Sequence, residues 1–209
     1  MKYAFACAFV ILASAAMADP APKMPLVIPH GTQDVTQAIP GEYTLDPNHV
    51  AVLARVSHLG FSISVFRFDK VQGKLSWDPA AIAHSQLSAT VETASIATNV
   101  AGFAAHLASD DYLKSAKFPE AIFVSTAFRP TDATHGKVDG QFTLMGKTVP
   151  LTFDVTLVGA GPGFAGGPTM GHVIGIHGEG AINPQDFGLP AFFKDPIQLV
   201  IDTEFDNKS

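Results

Sequence analysis

The sequence contains little that would support nucleic-acid binding, thiol chemistry or a membrane span. Its 13 lysines and arginines are scattered and are outnumbered by 19 acidic residues, whereas nucleic-acid partners favour a basic stripe. The one cysteine is Cys7, so we expect no disulfide and no cysteine nucleophile beyond residue 18. Beyond that residue no apolar run approaches the roughly 20 residues of a spanning helix. The remaining composition, with 47% hydrophobic and 15% charged residues, is typical of one folded globular domain.

Residues 1–18 have the pattern of a secretory signal peptide. Lys2 supplies the positive start, residues 5–16 form an apolar stretch, and the sequence AMA provides a small-x-small cleavage site. We expect cleavage after Ala18 and export to the periplasm, with no transmembrane segment in the mature chain. Residues 19–41 carry five prolines and are predicted to be an extended linker, and residues 42–209 are predicted to form the folded domain.

Apolar residues then alternate with polar ones in about eight runs, which is the period of a β-strand. Antiparallel strands with one apolar and one polar face close either as a two-sheet sandwich or as a barrel. Eight strands is the size of barrel that encloses one small ligand, but the alternation alone is compatible with both architectures. The predicted strands cover residues 50–57, 74–78, 87–92, 122–128, 138–144, 149–157, 174–182 and 197–205.

Two segments break this alternation. Residues 98–115 are alanine-rich, and Phe103 and Leu107 have the i, i+4 spacing of one helical face, so we predict one or two short helices across one end of the strands. Thr98 or Asn99 is the predicted N-cap. Residues 159–171 contain six glycines and are predicted to be a hairpin connection, because a strand follows them rather than the helix that a phosphate-binding loop needs.

The histidines are the strongest candidates for chemistry, since the motifs GxSxG, HExxH and the P-loop are absent. We predict no catalytic residues and no metal site. His177 and Glu179 share a strand face and are predicted to form a solvated surface pair. His58 and His106 either contact a ligand head group at one end of the fold or are satisfied by backbone carbonyls. A lipid-modifying enzyme that uses one of them as a base is a rival hypothesis.

Phenylalanine dominates the aromatic residues, with 16 Phe against three Tyr and one Trp. Rings on the apolar strand faces either pack a core or line a cavity without polar atoms, which would accept an acyl or isoprenoid chain. We predict His58 and His106 at the head-group end. The predicted lining residues are Val52, Phe61, Phe142, Leu151, Phe153 and Ile176.

Five segments carry more specific patterns: GEYTLDPNHV, SHLGFSISVFRFDKVQGKLSWDP, ETASIATNVAGFAAHLASDDYLKSAKFPEAIFVST, GQFTLMGKTVPLTFDVTLVG and NPQDFGL. In this order they resemble the YceI-like family of bacterial periplasmic, lipocalin-like proteins. The resemblance implies an all-β fold, an eight-stranded antiparallel lipocalin-like barrel with a short helical segment at one end. It also implies a hydrophobic interior that binds polyisoprenoids such as isoprenoid quinones or prenyl phosphates.

The chain departs from that family at the predicted helix. Ala104 and Ala105 stand where the family usually has an Arg-Asp pair, and Phe66 stands where it often has glycine. Loss of the cation favours a neutral quinone or lipid over a pyrophosphate. We therefore expect a periplasmic carrier of a long-chain amphiphile that needs no other cofactor. The main rival is an interaction module for a membrane redox or stress-response partner; a transient membrane-protein partner and a homodimer are both compatible with the sequence.

Overall fold

A computed structural model describes residues 28–164 and 171–207. The predicted signal peptide, the start of the predicted linker and residues 165–170 of the glycine-rich connection lie outside the described residues. Two helices, α1 Phe103–Ala108 and α2 Pro184–Phe187, accompany the strands. The strands are β1 Gly41–His58, β2 Ser62–Phe68, β3 Val71–Trp77, β4 Gln86–Glu92, β5 Ile96–Ala97, β6 Glu120–Pro130, β7 His135–Leu144, β8 Lys147–Pro162, β9 His172–Ile182 and β10 Ile197–Asn207.

These strands form a closed antiparallel barrel of eight staves. The 18-residue β1 pairs with β10 along one side, which closes the barrel. On its other side the first part of β1 pairs with β3 and the second part with β2, so β2 and β3 together make one stave. The circuit continues through β4, β6, β7, β8 and β9 back to β10. The barrel prediction is therefore confirmed, and the sandwich is excluded.

Each of the eight predicted runs lies on a strand, and in seven of them the apolar face points inward. The run at residues 122–128 is the exception, because simple alternation places Val124 inside with Phe128, whereas Phe123 is buried and Val124 is 48% exposed. An irregularity between Ser125 and Ala127 changes the inward parity along this strand.

Leu75, Ile174 and Phe205, from three different strands, are almost fully buried in one continuous core. The alternation did not predict β2, because this strand has apolar residues on both faces: Phe66 and Phe68 on one, Ile63 and Val65 on the other.

Two inward phenylalanine rings lie against glycines of neighbouring strands. A Cβ atom on Gly140 of β7 would lie 2.4 Å from Cζ of Phe123 and 2.6 Å from the carbonyl oxygen of Val124. A Cβ atom on Gly180 of β9 would lie 2.9 Å from Cδ1 of Phe153. The two rings meet edge to face, with centroids 5.1 Å apart, so both glycines make room for one aromatic pair in the barrel wall.

The end of the barrel that carries α1 and α2 is called the mouth here. The structure contains α1 within the predicted helical segment, but the helix spans only six residues and its N-cap is Gly102, with φ 75°. The prediction of Thr98 or Asn99 as the cap was wrong. The helix stops at Ser109, whose hydroxyl donates to the His106 carbonyl at 2.7 Å and competes with further helical bonding. Among the described residues no helix is long and apolar enough to cross a membrane.

Residues 28–40 lie against the opposite end, which we call the closed end. Thr32 forms an isolated bridge with Ala160 of β8, and a 3-10 helix at Val35–Gln37 follows. Ala38 is buried, and Val35 packs against the core. This part of the predicted extended linker is therefore attached to the barrel, a placement that its proline content did not indicate.

Candidate ligand-binding cavity

A cavity of about 200 Å³ lies inside the barrel. Side chains from every stave reach it, and Leu113 and Leu189 close it from the two segments at the mouth. The remaining lining residues are Leu45, Val52, Ala54, Phe68, Val71, Leu87, Ala89, Val91, Thr93, Ala121, Phe123, Val138, Phe142, Leu144, Phe153, Val155, Ile176, Gly178, Ile182, Ile197, Leu199, Ile201, Thr203 and Phe205.

Hydrocarbon makes up nearly all of this lining. Its only side-chain polar atoms are the hydroxyls of Thr93 and Thr203, and both donate to backbone carbonyls: Thr93 to Phe118 at 2.9 Å and Thr203 to Glu204 at 3.4 Å. No charged side chain of the described residues lines the cavity. The interior therefore offers burial to an apolar group, and it offers no unused side-chain donor to a sugar, a nucleotide or an ion.

A second cavity of about 100 Å³ lies toward the closed end. It shares four wall residues with the first, and Val35 and the β6–β7 turn border its outer side. Trp77, the single tryptophan of the chain, also lines it. The shared walls place both cavities along one apolar lumen. They are Leu87, Val138, Val155 and Ile176.

The structure places the predicted lining residues in three different environments. Val52, Phe142, Phe153 and Ile176 line the large cavity. Leu151 is buried in the core but borders neither cavity. Phe61 lies in the turn between β1 and β2, with its side chain exposed outside the barrel, because this turn extends beyond the last residue pair of β1 and β10. The binding role of all six residues stays a prediction.

The two predicted head-group histidines lie at the mouth but border neither cavity. His58 ends β1 and is exposed, and His106 is exposed on α1. Neither imidazole makes a hydrogen bond to another residue in the described part of the chain. The His106 ring instead packs edge to face against Tyr112, with centroids 4.8 Å apart. Their contact with a ligand head group stays a prediction.

His106 belongs to a row of rings, in tilted or edge-to-face contact, that we call the aromatic arc. The arc begins at Phe66 on β2 and continues through Phe103, 6.2 Å away between centroids. It ends in the loop before β10. Sequence reasoning missed this arrangement because its members come from three segments that only the closed barrel brings together. The members are Phe66, Phe103, His106, Tyr112, Phe192 and Phe193.

Outside the lumen, Asp46, His49 and Glu204 form a group of three potential metal ligands, with ligand atoms within 4.8 Å of one another. Asp46 accepts a hydrogen bond from Nδ1 of His49 at 2.7 Å, and this contact raises the pKa of His49. The group borders neither interior cavity. It was not predicted, because an irregularity in β1 between Leu45 and Val50 changes which residues face β10.

His177 lies on the outer wall between two carboxylates. Its Nδ1 atom is 2.7 Å from Asp202 and its Nε2 atom is 3.4 Å from Glu179, so the predicted surface pair with Glu179 is present and is extended by a second partner. The hydrogen bond to Asp202, followed by the charge of that group and the contact with Glu179, raises the pKa of His177.

The raised pKa predicts that His177 stabilises the barrel more at low pH than at high pH. The stabilisation is fully present below the unfolded pKa of about 6.5 and disappears as pH rises through the higher folded pKa. We expect the His177→Asn variant to lower Tm more at pH 6 than at pH 8.5. Thermal unfolding of both proteins at both pH values measures this difference. A loss of Tm that is the same at both values would contradict the linkage.

Comparison with known proteins identifies the family to which this chain belongs. A family model described as the YceI-like domain matches residues 43–205, which are the barrel itself. The chain belongs to the YceI-like family. A UPF0312 protein of Pseudomonas putida strain W619 is 36% identical over 172 residues, covering 80% of this chain and 88% of the relative. A UPF0312 protein of Pseudomonas syringae pv. syringae is 36% identical over 155 residues, covering 73% and 79%.

Solved structures of this family and fold are also similar to the barrel. The Campylobacter jejuni YceI protein is 26% identical, with a TM-score of 0.63 over 74% of this chain and 91% of that chain. Burkholderia cenocepacia BcnA shares the fold at 23% identity, with a TM-score of 0.65 over 77% and 98%. A polyisoprenoid binding domain from Saccharophagus degradans shares it at 13% identity, with a TM-score of 0.53 over 78% and 97%.

Proposed function

We propose that this chain is an exported carrier protein that holds the apolar tail of an isoprenoid, or of a similar amphiphilic lipid, in the barrel lumen. The observation that carries the proposal is the cavity of about 200 Å³, whose lining is hydrocarbon apart from two threonine hydroxyls that already donate to the backbone. Such a lining binds a ligand because binding removes the apolar surface of the ligand from water, and not through polar contacts.

The size of the lumen limits what it holds. A cavity of about 150 Å³ lined by Leu, Ile and Phe is large enough for benzene, so about 200 Å³ suits a short branched chain. A longer tail would continue from the large cavity toward Trp77 in the second one, or out through the mouth. We therefore propose that affinity increases with the length of the tail until the tail fills the lumen.

The related folds support this choice of ligand. The Saccharophagus degradans domain, which shares the barrel fold at 13% identity, is described as polyisoprenoid binding. The cavity of about 200 Å³ also favours the carrier over the rival interaction module, because a protein that binds only through its outer surface needs no cavity in its core.

The head group is proposed to stay at the mouth and to be uncharged. Ala104 and Ala105 on α1 supply no cation, and this side of the mouth presents the rings of His106 and Tyr112 in the aromatic arc. Lys147 is a cation at the mouth, but its Nζ atom lies beside Gly188 at the end of α2 and not on α1. A quinone or prenyl alcohol fits the surface at α1 better than a pyrophosphate. The proposal contains no catalytic step, since neither His58 nor His106 hydrogen-bonds a described carboxylate that could orient it as a base.

A series of prenyl alcohols with increasing numbers of isoprene units tests the proposal. We expect each added unit to tighten binding by at least tenfold until the lumen is full, because each buried methylene contributes about 0.8 kcal/mol. Trp77, which lines the second cavity, reports by its fluorescence when a tail reaches the closed end. A quinone without a tail is the control and should not bind. Affinity that does not change with tail length would contradict a lumen site.

A further inference from the structure

The hairpin of β1 and β2 ends in a turn that exposes two large apolar side chains. The Phe61 amide donates to the His58 carbonyl at 3.0 Å, and both residues between them have positive φ, 55° at Leu59 and 79° at Gly60. Leu59 is 69% exposed and Phe61 is 85% exposed. Neither side chain contributes to the core of the described barrel.

The apolar surface continues from this turn along the outward face of β2. Ile63 and Val65 follow at alternate positions and are 51% and 50% exposed. Four apolar side chains, at every second position from residue 59 to residue 65, are therefore exposed outside the barrel. We call Leu59, Phe61, Ile63 and Val65 the hairpin face. Exposed apolar residues are ordinary when they are scattered, but a contiguous group of four on a projecting hairpin marks an interaction surface.

Leu59 is an unfavourable residue for the turn that contains it. Positive φ at both central positions, as in a type I′ turn, suits Asn-Gly, whereas a leucine side chain is strained there. Asparagine at position 59 would therefore stabilise the turn more than leucine does. A strained and exposed leucine indicates that the side chain serves something other than the stability of the hairpin.

Two arginines flank the hairpin face at its base. Arg55 on β1 is the residue opposite Val65, and Arg67 on β2 follows Val65 on the same outward face. Arg55 forms no ion pair with another described residue, and Arg67 forms only an exposed pair with Asp69. The apolar tip, with two guanidinium groups behind it, matches the order of layers at a lipid surface. The apolar side chains would insert into the hydrocarbon layer, and the arginines would contact the lipid phosphates.

We propose that the hairpin face docks the mouth of the barrel on the surface of an anionic lipid bilayer. Phe61 and Leu59 insert between lipids, and Arg55 and Arg67 bind lipid phosphates. The docked mouth then faces the lipid bilayer, in which an isoprenoid tail is dissolved. The role of docking in loading the lumen rests on the proposed function, but the docking itself does not.

The distribution of acidic residues orients this contact. The outer wall formed by β7 to β10 carries five carboxylates that are at least partly exposed. Ion pairs with Arg129 and Lys137 offset two of them, so the wall keeps a net negative charge that an anionic surface repels while it attracts the two arginines. The barrel is therefore held with its mouth toward the lipid and with this wall in water. The unpaired edge of β2 at Ser62–Phe66 could instead pair with a second copy, but strand pairing uses the backbone and leaves the hairpin face exposed. The five carboxylates are those of Asp139, Asp154, Glu179, Asp202 and Glu204.

Co-flotation with vesicles of phosphatidylglycerol and phosphatidylcholine tests the docking, using protein recovered after export from a bacterial host. The Leu59→Asn variant is expected to bind these vesicles about tenfold more weakly and to have an equal or higher Tm, because asparagine suits the positive φ. Wild-type binding is expected to weaken on pure phosphatidylcholine and at high salt. The Gly178→Leu variant, which alters the lumen only, is expected to float like the wild type.

Three results would overturn the proposal. They are a wild-type protein that does not float, a Leu59→Asn variant that floats as well as the wild type, and a dimer that forms through the hairpin in place of vesicle binding. Tail binding is measured separately with prenyl alcohols. A protein that floats but binds no prenyl alcohol would contradict the proposed function and leave the docking supported, whereas the reverse result would contradict the docking alone.

Discussion

The Gly178→Leu variant is expected to lose about 100-fold in affinity for a prenyl tail while keeping its fold. Gly178 lies on the cavity wall in β9, between Val155 and Ile201 of the neighbouring strands. A Cβ atom there would meet only Cγ1 of Val155, at 3.8 Å, so the backbone tolerates a side chain that points into the lumen. Four added carbons displace about four methylenes of the ligand, which is roughly 3 kcal/mol of lost burial.

Stability and binding should change in opposite directions in this variant. Leucine fills empty apolar space, so Tm is expected to stay the same or to rise. The matched control is Gly178→Ala, which adds one methyl group and should weaken binding by only about fourfold. Titration with a prenyl alcohol and thermal unfolding measure the two quantities on the same samples. Wild-type affinity in a folded Gly178→Leu protein would place the ligand outside the lumen.

The second large effect is expected from Gly140→Ala, which should destabilise the barrel by about 3 kcal/mol and lower Tm by roughly 6–12 °C. The added Cβ atom would lie 2.4 Å from Cζ of Phe123 and 2.6 Å from the carbonyl oxygen of Val124. The Phe123 ring borders the cavity and has room to turn, but the carbonyl of Val124 could shift only with its strand. The expected loss of stability therefore comes from overpacking in the wall between β6 and β7.

Gly178, two strands away on β9, again supplies the control. Gly178→Ala adds the same methyl group where no atom lies closer than 3.8 Å, and its thermal unfolding should match that of the wild type. Replacing Phe123 with leucine in the Gly140→Ala background should recover part of the lost stability, since it removes the atom in closest contact. A Gly140→Ala protein that unfolds at the wild-type temperature would show that the wall relaxes without cost.

Periodicity was sufficient for most of the barrel wall because burial on one face forces alternation. It failed at β2, which is apolar on both faces, and at the start of β6, where Phe123 and not Val124 faces inward. Val52, Phe142, Phe153 and Ile176 could be assigned to the lumen from alternation, since an inward parity is fixed once the strand is identified. Leu151 has the same parity but is covered by its neighbours, and no alternation pattern distinguishes a residue that lines a cavity from one that is packed.

Features that depend on more than one segment could not be predicted in this way. Phe61 has the outward parity of β2 and lies in a turn, so its exposure follows from the length of the hairpin beyond the barrel. The aromatic arc unites β2, α1 and the loop before β10, and only closure of the barrel brings these segments together. The attachment of residues 28–40 depends on the bridge to Ala160 and on the packing of Ala38 and Val35 against the barrel, which composition does not encode.

Native mass spectrometry of the protein recovered after export tests the lipid-carrier proposal most directly. The wild type is expected to carry a bound mass in a one-to-one ratio that extracts into organic solvent as a quinone or another prenyl lipid. The Gly178→Leu variant, recovered from the same host, is expected to be free of it. A wild-type protein that shows only its own mass and takes up no added isoprenoid would contradict the account.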